Sequence, residues 1–240
     1  MGTDIYIYSL VIFLSAFIGG LICYARKWSD ELLHMFISFG AGIFIGTVFL
    51  HLLPEALGDS NNFVSAIFVL LGFMIIFFIE RFLFSRGNGG YDQSHMVISI
   101  TAFVGLSIHS IIAGMGLAVG TQFESLGSVI FVSILAHKTT AAFSLASLFL
   151  LAKFSKKKRL WLLLLFSLMT PFGALLLSKI LINKSEYVLA PLIGLTTGTF
   201  LYVAVGELLP EVFHTKEKRW TKLLLLIIGI IIMGILSSAH

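Results

Sequence analysis

Eight apolar stretches take up most of this 240-residue chain. Crossing about 30 Å of hydrocarbon takes roughly 20 residues in an α-helix, and each stretch is close to that length or exceeds it. A share of 58% hydrophobic and 12% charged residues is typical of an integral membrane protein. The sequence therefore predicts an all-α fold of eight transmembrane helices in a single domain, residues 1–240. The predicted helices lie at about 5–25, 33–57, 62–84, 94–120, 125–152, 160–182, 187–211 and 221–237.

The basic residues predict how the chain is oriented. Apart from Lys138, Lys179 and Lys184, every Lys and Arg lies in or beside a loop that follows an odd-numbered span. Such an excess marks the cytoplasmic side, so both termini are expected outside. The net charge of +4 is thus a topology signal, and we expect the lipid bilayer as a partner and no nucleic acid. Because the loops are short, we expect a bacterial inner membrane.

The second and seventh spans share a motif. Leu-Leu-Pro-Glu occurs at 52–55 and again at 208–211. Because the two spans run in opposite directions, the repeat predicts two inverted three-helix units around the fourth and fifth helices. The alternative is a helix end that merely carries a proline stop. The aligned pairs are Gly42 with Gly198, Phe44 with Phe200, His51 with Glu207, and Glu55 with Glu211.

This alignment predicts the two ends of a transport pathway. His51 and Glu55 fall toward the outer mouth, whereas Glu207 and Glu211 fall toward the inner mouth. Other ionisable residues border helix ends and are expected to be solvated. They are Glu80, His95, Glu124 and His214.

Two histidines, His109 and His137, lie near the middle of the fourth and fifth spans. A polar group at the bilayer centre costs several kcal/mol and usually lines an internal site. Neutral imidazole binds zinc and other transition metals, and Ser110 with water can complete a loose shell. A buried histidine is also often a hydrogen-bonded packing element, so both interpretations stay open.

Lys138 is the residue least suited to a cation site, because a buried ammonium group is costly. It either takes the place of a second metal with its own charge or pairs with Glu207 or a carbonyl group. The sixth span has Pro171 at its midpoint, and a kink there needs a cavity or a packed partner.

Over essentially its whole length the chain resembles the ZIP (ZRT/IRT-like) family of divalent metal transporters. The histidine–lysine pair of the fifth span is similar to one branch of that family. The likeness rests on HLLPEAL at 51–57, HSIIAGMGLAVG at 109–120, HKTTAAFSL at 137–145, TPFGALL at 170–176 and GTFLYVAVGELLPE at 198–211.

The resemblance implies an eight-helix fold, often dimeric, in which helices 1, 4, 5 and 6 move as an elevator and carry metal toward the cytoplasm. It implies metal ligands at His109 and His137, a further ligand position at Ser110, and pathway roles for His51 and Glu207. The metal, most favourably zinc, is the transported ion and not a cofactor, and no enzymatic activity is expected.

The chain departs from the family pattern at positions that usually carry acidic side chains. Ala113 and Ala141 replace carboxylates of the fourth and fifth helices, and Thr170 replaces an acidic residue of two-metal members. With Lys138 in its place, the second metal site is expected to be absent. Loss of carboxylates weakens hard cations most, so zinc is favoured over manganese. The alternatives are a transport-impaired homologue that senses metal or acts as a structural partner, and a carrier of a non-metal solute.

Overall fold

The computed structural model describes residues 4–58, 62–83, 91–121, 126–180, 185–214 and 217–238. Within these residues eight helices are long and apolar enough to cross a membrane, which confirms the predicted all-α fold. The predicted helix ends at 84, 125 and 182 lie outside the described residues, as does Glu124. The helices are α1 (Asp4–Tyr24), α2 (Asp30–Thr47, then Val48–Leu52 and Leu53–Leu57), α3 (Asn62–Phe78, then Ile79–Leu83), α4 (Tyr91–Gly120), α5 (Leu126–Leu151), α6 (Lys156–Ile180), α7 (Ser185–Leu201, then Tyr202–Leu208 and Leu209–Phe213) and α8 (Arg219–Ser238).

Two helices begin before their apolar runs. The side chain of Ser29 caps α2 by accepting a hydrogen bond from the backbone of Leu32, at 3.3 Å. In the same way α6 begins at Lys156, before the predicted residue 160. Hydropathy alone misses these first turns because their residues are charged.

The Leu-Leu-Pro-Glu motifs coincide with a change in helix geometry. The turns before Pro54 and Pro210 are π-helical, at Val48–Leu52 in α2 and Tyr202–Leu208 in α7. A proline inside a helix has no N–H to donate and clashes with the carbonyl group four residues earlier. The wider π-turn relieves that clash, and such turns are frequent at functional sites.

The helices pack in two groups. In the first group α4 lies along α6 and α1 lies along α5, while in the second α2 lies along α8 and α3 along α7. A β-carbon on Gly42 would collide with the carbonyl oxygen of Leu226 in α8, and one on Gly198 with that of Val69 in α3. These glycines therefore allow the close helix approach that small residues give in membranes. The two groups meet where α4 packs on α7 and α2 on α5.

The ends of the helices define two faces of the molecule. We call the face where α1 ends and α2 begins the basic face, because the described loop residues there include Arg26, Lys153 and Lys218. The chain leaves α2 and enters α7 at the opposite face. His34 and Glu211 lie near the basic face, whereas His51 and Glu55 lie near the opposite face.

Candidate metal-transport site

A cavity of about 150 Å³ lies among α2, α4, α5 and α7. It reaches from Glu55, near the opposite face, to His109 and His137 at the middle of their helices. Most of the other lining residues are aliphatic. The polar lining residues are His51, Glu55, His109, Ser133, His137 and Thr196. The structure thus brings together both midplane histidines and the two predicted residues of the outer mouth.

The two imidazoles halfway along α4 and α5 lie close together. The ring centres of His109 and His137 lie 5.6 Å apart, and both residues are buried. Zinc–nitrogen bonds of about 2.0–2.1 Å place two imidazole centres on one zinc roughly 5–6 Å apart. No described residue makes a hydrogen bond of normal geometry to their ring nitrogens, although backbone groups of Thr196 and Ser133 lie nearby. The pair therefore has the spacing and the unused nitrogen atoms that a shared metal ion requires.

The mouth of the cavity is polar and half open. His51 Nε2 lies 2.8 Å from Ser133 Oγ and 3.9 Å from Glu55 Oε2. The side chain of Glu55 is 45% exposed. A carboxylate and an imidazole at an open mouth can attract a cation and hold it loosely before it moves deeper.

The contacts of Lys138 that the structure shows are with a serine and an aromatic ring, while its pairing with Glu207 stays a prediction. Its Nζ donates a hydrogen bond to Ser110 Oγ at 2.5 Å and lies 3.9 Å from the centre of the Phe166 ring. Ser110 in turn donates to the Leu106 carbonyl oxygen at 2.6 Å. The serine hydroxyl is thus engaged away from the cavity, whose lining does not include it.

Three positions, Ala113, Ala141 and Thr170, usually carry acidic residues in the family that the chain resembles, and their surroundings differ. Ala113 lines the cavity one turn beyond His109, whereas Ala141 is packed in the main hydrophobic cluster. Thr170 is fully buried, and its carbonyl oxygen is where α6 touches Gly114 of α4. Of these three positions only Ala113 faces the space beside the histidines.

A second polar cluster, the basic-face cluster, is made by His34, His95 and Glu211. Glu211 Oε1 lies 3.5 Å from His34 Nδ1 and 3.2 Å from His95 Nδ1, and all three side chains are buried. The expectation that His95 is solvated was therefore wrong, while His214 beside it is exposed. Sequence reasoning missed His34. His34 lies near the start of α2 and Glu211 near the end of α7, and both of these ends are predicted at the same face. This shared depth could have grouped the two residues.

Glu80 was also expected to be solvated and is buried. Tyr202 donates a hydrogen bond to Glu80 Oε2, which links the π-helical turns of α7 and α3. Glu207, on the same turn as Tyr202, is 1% exposed. Glu80, Glu207 and Glu211 are thus enclosed by protein, unlike Glu55.

The midplane site offers few protein ligands. Among the described residues, no three His, Cys, Asp or Glu side chains are arranged to hold a metal ion together. His109 and His137 therefore need water or a further side chain to complete a zinc shell, which commonly has four ligands.

Comparisons with known proteins agree with this architecture. The profile of the ZIP zinc transporter family matches residues 3–96 and 85–237. The zinc transporter ZIP9 of Xenopus tropicalis is 26% identical over 99% of this chain and 98% of its own length. The zinc transporter ZIP1 of Takifugu rubripes is 27% identical over 83% and 82%, respectively. These relatives come from animals and give no support to the predicted bacterial inner membrane.

Proposed function

Because the chain belongs to the ZIP family of zinc transporters, we propose that it carries a divalent metal ion, most favourably zinc, through the cavity between α4 and α5. As a multi-pass membrane protein of a transporter family, it has the metal ion as its transported substrate. The observation that carries the proposal is the facing pair of buried imidazoles, His109 and His137, at the closed end of an open cavity.

We infer the direction of transport from the orientation that the basic loops predict and from the face at which the cavity opens. The cytoplasmic side carries the excess of Lys and Arg, so the basic face lies in the cytoplasm and both termini lie outside. The cavity then faces outward. Metal enters past His51 and Glu55, binds between His109 and His137, and leaves past Glu207 and Glu211 toward the cytoplasm.

The donor set favours zinc over harder cations. Two imidazoles suit zinc, whereas manganese and magnesium prefer carboxylate oxygen atoms. Water in the cavity completes the shell, because Ser110 is held by Lys138 and Ala113 has no donor atom. Ser110 joins the shell only when Lys138 releases it. A loose shell suits a carrier, since the ion must also leave.

Lys138 and Thr170 explain why we expect one bound ion and not two. In this proposal the ammonium group fills the region that a second metal occupies in two-metal relatives, and Thr170 offers no carboxylate there. One zinc ion per protomer is the expected stoichiometry, measured by metal analysis of purified protein after removal of free zinc. Two ions per protomer would show that Lys138 does not replace a metal.

Alternating access comes from the two helix groups. We infer that α1, α4, α5 and α6 move together as an elevator against the other four helices, α2, α3, α7 and α8. In the inverted repeat, α2 and α3 belong to the first half of the chain, and α7 and α8 belong to the second. Within a group, glycines lie against the backbone of the partner helix, as Gly42 does at Leu226, whereas Gly40 between the groups meets the side chain of Ser144. The backbone contacts within each group support this division, because such seams resist sliding.

A second candidate is a transport-impaired homologue that binds zinc as a sensor. The alanines at 113 and 141 favour it, since they leave two protein ligands at the site. Such a protein would bind zinc at His109 and His137 but would not move it across a membrane.

Zinc uptake into proteoliposomes tests both candidates. The wild-type protein is expected to give saturable uptake, and His109→Ala/His137→Ala should reduce uptake to that of empty vesicles because both ligands are lost. His109→Cys is the matched control, since a thiolate still binds zinc and should preserve part of the uptake. Wild-type uptake at the empty-vesicle level together with bound zinc would favour the sensor. Wild-type rates in the folded double variant would refute the midplane site.

A further inference from the structure

Two phenylalanines lie next to the histidines of the cavity. Phe44 and Phe200 are fully buried, and their rings stack with centres 4.5 Å apart and planes inclined by 22°. The centre of the Phe200 ring also lies 4.1 Å from that of His109 and 5.8 Å from that of His137. Phe200 is therefore next to both proposed metal ligands, and Phe44 packs against Phe200.

The positions of the two residues along their helices place the pair between the two polar clusters. In α2, Phe44 lies between His34 of the basic-face cluster and His51 of the cavity. In α7, Phe200 comes one turn after Thr196, a cavity residue, and before Glu211. Along both helices the pair thus lies between the cavity and the basic-face cluster.

The pair has a symmetric origin. Phe44 and Phe200 are the aligned positions of the two Leu-Leu-Pro-Glu segments, one from each half of the chain. Each is followed along its helix by a π-helical turn, at Val48–Leu52 and Tyr202–Leu208. Such turns are frequent at functional sites.

From these contacts we propose that Phe44 and Phe200 form an aromatic gate, which closes the floor of the metal cavity toward the basic face and opens when the rings part. Stacked apolar rings exclude water and hydrated ions, as hydrophobic constrictions do in channels. Stacking of the two aromatic rings also stabilises the closed state. The gate stops an ion bound by His109 and His137 from leaving on the inner side while the cavity is open. This role rests on the proposed metal path.

Cysteine labelling tests the gate without relying on zinc transport. Ala204 is fully buried and lies one turn beyond Phe200 toward the basic face. The free thiol at Cys23 is first removed as Cys23→Ser, and Ala204→Cys is then introduced as the probe. Intact cells or sealed vesicles with the outer face exposed are treated with a membrane-impermeant cationic thiol reagent.

The gate predicts protection of the probe when both rings are present. Adding Phe44→Ala/Phe200→Ala should change labelling of Ala204→Cys from undetectable to complete, because the lost rings leave a space continuous with the cavity. Phe44→Leu/Phe200→Leu should restore protection, since leucine keeps most of the apolar volume. Phe149→Ala is the matched control: Phe149 is equally buried but packs on Phe103 and Phe154, away from the cavity. It should leave the probe protected.

The outcomes separate the gate from general loosening of the fold. An unlabelled probe in the folded alanine pair, judged by a monodisperse elution profile, would overturn the gate. Equal labelling in Phe149→Ala, or in the leucine pair, would overturn it as well, because the effect would then not depend on the gate. If the alanine pair does not fold, Phe200→Ala alone is used, with intermediate labelling expected and full protection counting against the gate. Absence of zinc uptake by the wild-type protein would refute the proposed function and leave these labelling results unchanged.

Discussion

The same four residues, Leu-Leu-Pro-Glu, occur in α2 and α7, yet the two glutamates lie in different environments. Glu55 is 45% exposed at the mouth of the cavity, and its nearest basic partner is His51 at 3.9 Å. Glu211 is buried between His34 and His95 at 3.5 and 3.2 Å. The prolines and the π-helical turns are common to both helices, so local sequence does not cause the difference.

The difference between Glu55 and Glu211 indicates a state of the proposed transport cycle. In the inverted repeat that we propose, the equivalent residues of the two halves exchange surroundings when the protein changes state. An open mouth at Glu55 and an enclosed carboxylate at Glu211 correspond to a cavity open on the opposite face and closed on the basic face. The apolar layer with Phe44 and Phe200 separates the two environments.

The largest contrast is expected between Glu211→Gln and Glu55→Gln. Glu211 Oε1 is buried against two imidazoles, whereas Glu55 is half exposed and its charge is screened by water. On the proposed path the buried carboxylate acts more strongly on the passing metal ion, so Glu211→Gln should lower the initial rate of zinc uptake at least tenfold, equivalent to about 1.4 kcal/mol in the activation barrier. Glu55→Gln should change the rate only about twofold. Equal effects of both variants on uptake, at equal protein levels in the vesicles, would remove the contrast.

Sequence reasoning predicted the helices and pointed to His109 and His137 together because both predictions depend on short-range patterns. Apolar length gives a transmembrane helix, and a histidine halfway along such a helix is placed at the centre of the membrane. His109 and His137 then come together because α4 and α5 are adjacent antiparallel helices.

The basic-face cluster could not be predicted in the same way. His34, His95 and Glu211 come from three helices, and their contact depends on the rotation of each helix about its own axis. Apolar spans without a clear polar stripe do not reveal that rotation. The same reason explains Ser110: its position next to His109 suggested a ligand, but the rotation of α4 turns its hydroxyl to Lys138.

A smaller contrast is expected between Ala113→Asp and Ala141→Asp. Ala113 lines the open cavity one turn from His109, so an aspartate there adds an oxygen ligand and should tighten zinc binding about tenfold, equivalent to 1.4 kcal/mol. Ala141 lies in the packed cluster, where an unpaired carboxylate is costly and has no access to the cavity. That variant should melt at a lower temperature without binding zinc more tightly. Calorimetric titration with zinc measures the first effect, and tighter zinc binding by folded Ala141→Asp would contradict the assignment of the two positions.

The smallest contrast concerns two hydrogen bonds, one on each side of the gate. Tyr202→Phe removes a hydrogen bond to the buried carboxylate of Glu80, and a hydrogen bond to a charged group contributes about 1.5–3 kcal/mol. Ser133→Ala removes a partner of His51 at the hydrated mouth, where water can take its place, so the loss should stay near the 0.5–1.5 kcal/mol of an ordinary hydrogen bond or below it. Thermal unfolding in detergent should therefore show a clearly lower melting temperature for Tyr202→Phe and a nearly unchanged one for Ser133→Ala. A lower melting temperature for Ser133→Ala than for Tyr202→Phe would contradict this contrast. It would mean that the surroundings of Glu55 are packed more tightly than those of Glu211.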